Sequence, residues 1–308
     1  MIERPLDVLA KYEIRKTRKQ KDAFIAAVTD YTQRVGYTVR VEKGSLGTRN
    51  VVIGDAQRAK YLVTAHYDTC AWMPFPNFIT PTNFFLYLMY QVVLTAAIFC
   101  VAIGIGVGVG LLVGEPAVAG IVSFVMIYVI LALIMVGPAN PHTANDNTSG
   151  VVTVLEIMAS MPENLRDRVA FVLFDLEEAG LVGSSSYRAK HKSKTQDQII
   201  LNLDCVGDGD ELVLFPTAKL KKDAGQMAKL SKLCGRMGAK GLQLKKKGFA
   251  FYPSDQAAFP LGVGIAAFHK AKGIGLWLGR IHTSRDTVLD MTNVNILRAA
   301  IISLIGNL

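Results

Sequence analysis

Charge is what this chain conspicuously lacks in its middle. No charged residue occurs between Asp68 and Glu115, and no lysine or arginine between Lys60 and Arg166. Charged residues make up only 19% of the chain and hydrophobic ones 51%, against roughly 25% and 45 to 50% in ordinary soluble domains. Mean hydropathy is +0.30, so part of the chain is not built for water. Cysteine is equally sparse: Cys70, Cys100, Cys205 and Cys234 are scattered without a CxxC pair. That excludes a disulfide scaffold and predicts reduced, buried thiols in a cytosolic protein. The opening stretch MIERPLDVLAKYEIRKTRKQ has no apolar run of the signal-peptide kind, so export of the main domain is not expected. The net charge is +9, but no helix-turn-helix, zinc-finger or RNA-binding signature accompanies it, and nucleic acid is not an expected partner.

What the middle does contain is two long uncharged runs. Phe84 to Val113 spans 30 residues and Ala117 to Val136 spans 20. At about 1.5 Å per residue the second matches the roughly 30 Å hydrocarbon core of a bilayer, and the first exceeds it and must tilt. Only Gly114, Glu115 and Pro116 separate them, which predicts a tight turn and a transmembrane helical hairpin whose ends return to one side. A buried core hairpin is disfavoured, because some 50 uncharged residues exceed what a soluble core of this size takes. Trp72, Phe75, Phe78, Phe84, Phe85, Tyr87 and Tyr90 precede the second half of the first run as an interfacial belt would. Gly104, Gly106, Gly108 and Gly110 offer overlapping GxxxG spacings that let helices approach closely and give a route to a homo-oligomer; glycine merely tolerated in a membrane helix meets the same pattern. All 34 basic residues lie outside the block, which fits attraction to anionic lipid and a two-span membrane protein with its soluble domain in the cytoplasm.

Around the insertion the pattern is α/β. Phe24, Ile25, Val28 and Tyr31 form a helical stripe, so residues 1 to 36 read as one or two amphipathic helices. Strands are expected at 37–41, 51–53, 61–66, 169–178, 198–204, 212–215, 263–268 and 276–278, with helices over 146–158 and 293–305. The expected architecture is a three-layer α/β/α sandwich on a mixed, mainly parallel sheet, with one domain formed by residues 1–70 and 138–308 and interrupted by the hairpin at 84–136.

Ligands gather outside the carboxyl ends of such strands. There the chain places His66 with Asp68, Glu177 with Glu178, and Asp204, and adds Asp146 at an expected helix start and His282 in a late loop. These are ligand types that zinc accepts. Each alone is as readily a satisfied polar group; the Glu177–Glu178 pair alone reads as a solvated helix start.

Their order is more specific. AHYD (65–68), NDNTSG (145–150), FDLEEAGLVGS (174–184), LNLDCVG (201–207), SDQAAF (254–259) and IHTSRDT (281–287) together resemble the bacterial di-zinc aminopeptidases, family 28 of the metallopeptidases. That family includes glutamate carboxypeptidases and has glutaminyl cyclases as relatives. The resemblance covers roughly residues 50 to 305, hairpin excepted. It implies two Zn2+ ions, with Asp146 bridging, His66 and Asp204 completing one site, and Glu178 and His282 the other. Each ion then keeps room for water, as catalytic zinc needs. Asp68 resembles the carboxylate that orients the histidine, and Glu177 the general base that moves a proton from the attacking water to the leaving amine. Tyr252 and Asp255 are the candidates for substrate contact, each equally readable as structural. Two departures blur the substrate: Gln256 stands where the family usually has histidine, and Ile281 where some relatives have tyrosine.

The function implied is a membrane-anchored zinc aminopeptidase acting on short peptides. A glutaminyl-cyclase-like or carboxypeptidase-like enzyme would use the same ligands, and a catalytically inactive membrane partner-binding protein would keep only the fold. Because the insertion falls between His66 and Asp146, the site is expected to face the bilayer, favouring short hydrophobic peptides or membrane-released fragments.

Overall fold

A computed structural model of the protein describes residues 1–246 and 250–307. Helices α1 (Asp7–Tyr12) and α2 (Arg18–Arg34) open the chain. Thr17 caps α2 in a reciprocal box: its hydroxyl accepts from the Gln20 amide, and the Gln20 side chain accepts from the Thr17 amide. Strands β1 (Val39–Lys43), β2 (Arg49–Ile53) and β3 (Tyr61–His66) follow.

The long helices α3 (Phe84–Val113) and α4 (Pro116–Val136) then form a hairpin. Asn83 caps α3 through the Leu86 amide, Gly114 ends it at φ 78°, and Pro116 starts α4 at the position where its missing N–H costs nothing. Gly106 and Gly110 face α4: a Cβ on Gly106 would strike Ser123 and the Ala119 carbonyl, and one on Gly110 would come 2.7 Å from Ala119 Cβ. Gly104 and Gly108 face open space. Of the overlapping glycine spacings, only the 106/110 pair therefore sets the helix contact.

The chain re-enters the body through α5 (Gly150–Ser160), β4 (Val169–Phe174), α6 (Val182–Lys190), α7 (Lys192–Thr195), β5 (Ile199–Leu203) and β6 (Glu211–Pro216). It closes with α8 (Ala224–Lys232), β7 (Gly235–Met237), β8 (Lys240–Leu244), β9 (Gly262–Ala271), β10 (Gly275–Trp277) and α9 (Met291–Gly306).

Among the described residues ten strands form one mixed sheet in the order β1-β2-β4-β3-β5-β9-β6-β8-β7, with β10 on β9. Its centre, β4-β3-β5-β9, is parallel, and such strands, covered on both faces, are fully buried. On one face Val63, Phe171 and Leu201 pack with Phe24 and Val28 of α2, Leu155 of α5 and Leu297 of α9. On the other, Leu62, Val172, Phe174 and Ile200 meet Tyr187 of α6 and Phe259. This is the expected three-layer sandwich. Two details differ from expectation. The helix read from Asp146 begins only at Gly150, because residues 144–149 form an irregular turn with Asp146 at φ −110°, ψ 94°. The four cysteines are all free, but only Cys70 and Cys205 are buried; Cys100 lies exposed on α3, whose outward face has no core to enter.

The two ends of the hairpin meet directly after β3. Ala71 bridges Ala139, the Trp72 amide donates to the Pro138 carbonyl at 2.8 Å, and the Asn140 amide donates to the Cys70 carbonyl at 3.1 Å. The outgoing strand of the insertion is therefore paired four to six residues after His66, and the returning strand six to eight residues before Asp146.

Candidate metal centre

The parallel strands aim their carboxyl ends at one point. His66 ends β3, Glu177 and Glu178 sit in the loop after β4, and Asp204 follows β5. Asp146 comes from the turn before α5 and His282 from the loop before α9, at φ 62°. A cavity with about 110 Å³ of water-accessible space is lined by His66, Asp146, Glu177, Glu178, Asp204 and His282, together with Asn77, Ile79, Cys205, Tyr252, Pro253 and Ile281.

Asp146 stands between two sets of ligand atoms. His66 Nε2 lies 3.3 Å from Asp146 Oδ1 and 3.6 Å from Asp204 Oδ1. His282 Nε2 lies 3.2 Å from Asp146 Oδ2 and 3.5 Å from Glu178 Oε2. Nitrogen and oxygen ligands held about 2.1 Å from one tetrahedral ion are separated by about 3.4 Å. The spacings are therefore those of ligands around a shared cation. His66, Asp146 and Asp204 form one potential ligand group; Asp146, Glu178 and His282, with Cys70, form another. Glu178 Oε1 is buried with no hydrogen-bond partner, as expected of an oxygen aimed at a cation. The residues present fit two metal positions sharing one carboxylate.

Electrostatics agree. Burial alone would push the His66 imidazolium toward losing its proton, but Glu177, Asp146, Asp204 and Asp68 outweigh it and raise its pKa well above the ordinary value. Burial, and then the other carboxylates, hold Glu177 and Glu178 well above the usual carboxylate range. Asp146 goes the other way: burial is overcome by His282 and His66, which keep it ionised. A buried concentration of negative charge of this kind calls for a positive partner.

Asp68, expected to orient His66, contacts both the imidazole and the glutamate loop. His66 Nδ1 lies 3.5 Å from its carboxylate, while the carboxylate accepts from the Glu177 and Glu178 amides at 3.0 and 3.2 Å. It pins the loop carrying both glutamates. The substrate candidates divide. Tyr252 borders the cavity, stacked on Phe215 and donating its hydroxyl to the Asp204 carbonyl at 3.2 Å. Asp255 is fully buried behind the wall and does not line the cavity; burial, with Asp68 and Asp204 adding to it against His66, raises its carboxyl to about 7. Gln256 is structural: its amide donates to the Tyr252 carbonyl at 2.7 Å and accepts from Asn202 at 3.2 Å. Ile281 gives the cavity an apolar side.

Sequence reasoning passed over the residues that shape the Asp146 turn. Asp286 accepts from the Asn145 and Asp146 amides at 2.8 and 3.0 Å. Asn145 and Asn147 tie the turn to the end of β5 through the Gly207 amide and the Leu203 carbonyl. Arg15, fully buried, donates to Thr148 Oγ1 at 3.1 Å and to the Tyr67 carbonyl. Asp286 and both asparagines sat inside blocks read for a single ligand; Arg15, far away in sequence, gave no signal.

No curated protein matches the sequence significantly. Among solved structures the fold is similar to the LapA aminopeptidase of Legionella pneumophila, with 16% identity, a TM-score of 0.56, and coverage of 98% of this chain and 68% of that one. It is also similar to a glutaminyl cyclase of Porphyromonas gingivalis (16% identity, TM-score 0.63, coverage 98% and 96%). A leucine aminopeptidase precursor of Bacteroides thetaiotaomicron gives 14%, 0.58, and 98% and 94%. At these identities the likeness establishes the fold. The model of peptidase family M28 matches residues 130–304, more than half of the chain, and the protein belongs to that family.

Proposed function

We propose that the chain is a membrane-anchored, zinc-dependent exopeptidase that removes residues from the amino end of short peptides, with Glu177 as general base. The observation that carries this reading is Asp146, whose two oxygens face separate ligand sets 3.2 to 3.3 Å away. Two zinc ions held by His66, Asp146 and Asp204 and by Asp146, Glu178 and His282 would polarise the scissile carbonyl and make water acidic enough to attack it.

The remaining work falls to side chains. Glu177 lines the cavity with its amide fixed by Asp68. Its carboxylate accepts a proton from the attacking water, and as the C–N bond breaks the same proton passes to the leaving nitrogen. The burial that, with the neighbouring carboxylates, raises Glu177 well above the usual carboxylate range suits a group that must both take and return a proton. Asp68 keeps Glu177 and Glu178 in separate roles by holding both amides.

Anchoring is supported by the length and surface of the hairpin. Both helices have the length and apolarity to cross a bilayer, and they bury almost none of their large side chains: 11% of the most apolar window of α3 and 0% of that of α4 are buried. With every basic residue outside the hairpin, the body belongs on the cytoplasmic side. The experiment is metal analysis of the full-length protein together with hydrolysis of aminoacyl amides before and after chelation. About two metals per chain and chelator-sensitive cleavage support the reading. One metal with cyclisation of amino-terminal glutamine would replace it with a cyclase, and no metal with no turnover would leave an inactive partner-binding protein.

A further inference from the structure

The catalytic cavity has two unlike sides. One is carboxylate and imidazole; the other is Ile79, Cys205, Tyr252, Pro253 and Ile281. Ile79 belongs to the segment that runs from the metal site into the hairpin. It also lines a neighbouring crevice, with Thr80, Phe84 and Tyr87 from the start of α3 and with Phe251. One side chain is thus the partition between the reaction space and the root of the hairpin.

That root is fastened to the body. Ile79 and Leu278 exchange backbone hydrogen bonds at 3.0 and 2.9 Å, and the Phe251 amide donates to the Pro81 carbonyl at 3.0 Å. Phe78 packs between Tyr90 of α3 and Trp277 of β10, with ring centroids 5.5 and 6.1 Å away, and Tyr87 lies 6.3 Å from Phe251. Tyr90 also donates its hydroxyl to the Pro76 carbonyl. The outer surface of this cluster is apolar and open at Phe84 and Phe251, which are 49% and 46% exposed. The residues that the hairpin segment contributes to it include no lysine or arginine, since none occurs within 61–165.

We infer that the root of the hairpin is the specificity wall of the active site, selecting peptides with a large apolar amino-terminal residue presented from the bilayer surface. The inference rests on the peptidase reading above and adds the occupant. An apolar side chain entering along Phe84, Phe251 and Ile79 stays out of water from the interface to the cavity. An acidic one would give up its hydration along the same apolar path without gaining a partner and is rejected. Aromatic belts place tyrosine and tryptophan at the headgroup level, which puts the mouth of this path where an amphipathic peptide lies.

The test uses the full-length protein in phosphatidylcholine vesicles, with leucyl, seryl and glutamyl amides as soluble substrates. The wild type is expected to prefer leucyl over seryl amide. In Ile79→Ser the leucyl-to-seryl ratio of kcat/KM falls about tenfold, chiefly through KM, while metal content stays at the wild-type value. Phe251→Ala, at a rim position that is 46% exposed, is the second variant. It should reduce the advantage of a leucyl peptide carrying a carboxy-terminal acyl chain over the same peptide without one. Unchanged ratios in both variants at full metal content would overturn the inference and leave the peptidase intact. A wild type that cleaves none of these substrates would instead overturn the peptidase reading, and this inference with it.

Discussion

The body and the hairpin of this protein are held together by opposite means. In the body, large side chains interlock: the strands β3, β4 and β5 are buried along their whole length, and Phe24, Phe171 and Tyr61 are inaccessible to solvent. In the hairpin, the contact is made by absence of side chain. Ala102, Gly106 and Gly110 are the buried positions of α3, whereas Leu111, Leu112, Phe124 and Val136 are 79%, 88%, 61% and 70% exposed. A water-soluble element would turn those residues inward. The difference is that the body buries its large apolar side chains while the hairpin turns them outward, as the proposed membrane anchoring requires.

Substitutions can break the comparison from either side. The largest effect is expected in the body. Asp146→Ala removes the carboxylate shared by both ligand sets, so metal binding and a thousandfold or more of the activity, in order of magnitude, should disappear while membrane association stays. Metal analysis and flotation on a density gradient read the two halves; retained metal would refute the shared-ligand geometry.

Next comes the hairpin alone. Val125→Arg on α4, where Val125 is 50% exposed, places a charge near the middle of the span at a cost of about 2.5 to 3.5 kcal/mol. Membrane association should weaken while hydrolysis of soluble amides persists. Unaltered association would mean that α4 does not cross the bilayer.

A smaller effect distinguishes the two glycine rows. Gly106→Leu drives a side chain into Ala119 and Ser123 and should cost about 1 to 3 kcal/mol. Gly104→Leu points into open space and should change stability by less than about 0.5 kcal/mol. Thermal unfolding in detergent compares them, and equal losses would contradict the helix register.

The smallest effect lies at the far edge of the sheet. Burial would raise the Glu42 carboxyl, but His191, Arg40 and Lys190 outweigh it and hold it down at about 2. A depressed carboxylate stabilises the fold above its unfolded value of about 4.3 and loses that contribution as pH falls toward its folded value. Glu42→Gln should therefore cost about 1 to 2 kcal/mol at pH 7, solvent screening taking up the rest. The gap to wild type should close between about pH 4.5 and 2. A constant gap across that range would show that Glu42 contributes through packing rather than charge.

The sequence was most legible where one local property decides structure. The span helices follow from uninterrupted apolar length, so the run Phe84–Val113 equals α3 to the residue. The buried parallel strand 61–66 reads equally well, because burial on both faces writes a continuous apolar word; the strand expected at 169–178 stops at Phe174, where the chain turns into the glutamate loop. Legibility failed where long-range hydrogen bonds override local pattern. NDNTSG carries cap-type residues and reads as a helix start, but Asp286 and the end of β5 hold it in an irregular turn. The edge hairpin β7–β8, whose first strand is fully exposed, has no apolar alternation to announce it. The proposed ligands could be named from ordered motifs, whereas the supports Asp286, Asn145 and Arg15 became visible only once distant segments were brought together.

The central claim is that Glu177 moves the proton while its neighbours hold the metal, and Glu177→Gln tests it most directly. The measurement is metal content and kcat of the variant beside wild type at one pH. The account predicts unchanged metal and a kcat lower by about 10²- to 10⁴-fold; a variant that keeps its metal and its full rate would contradict it.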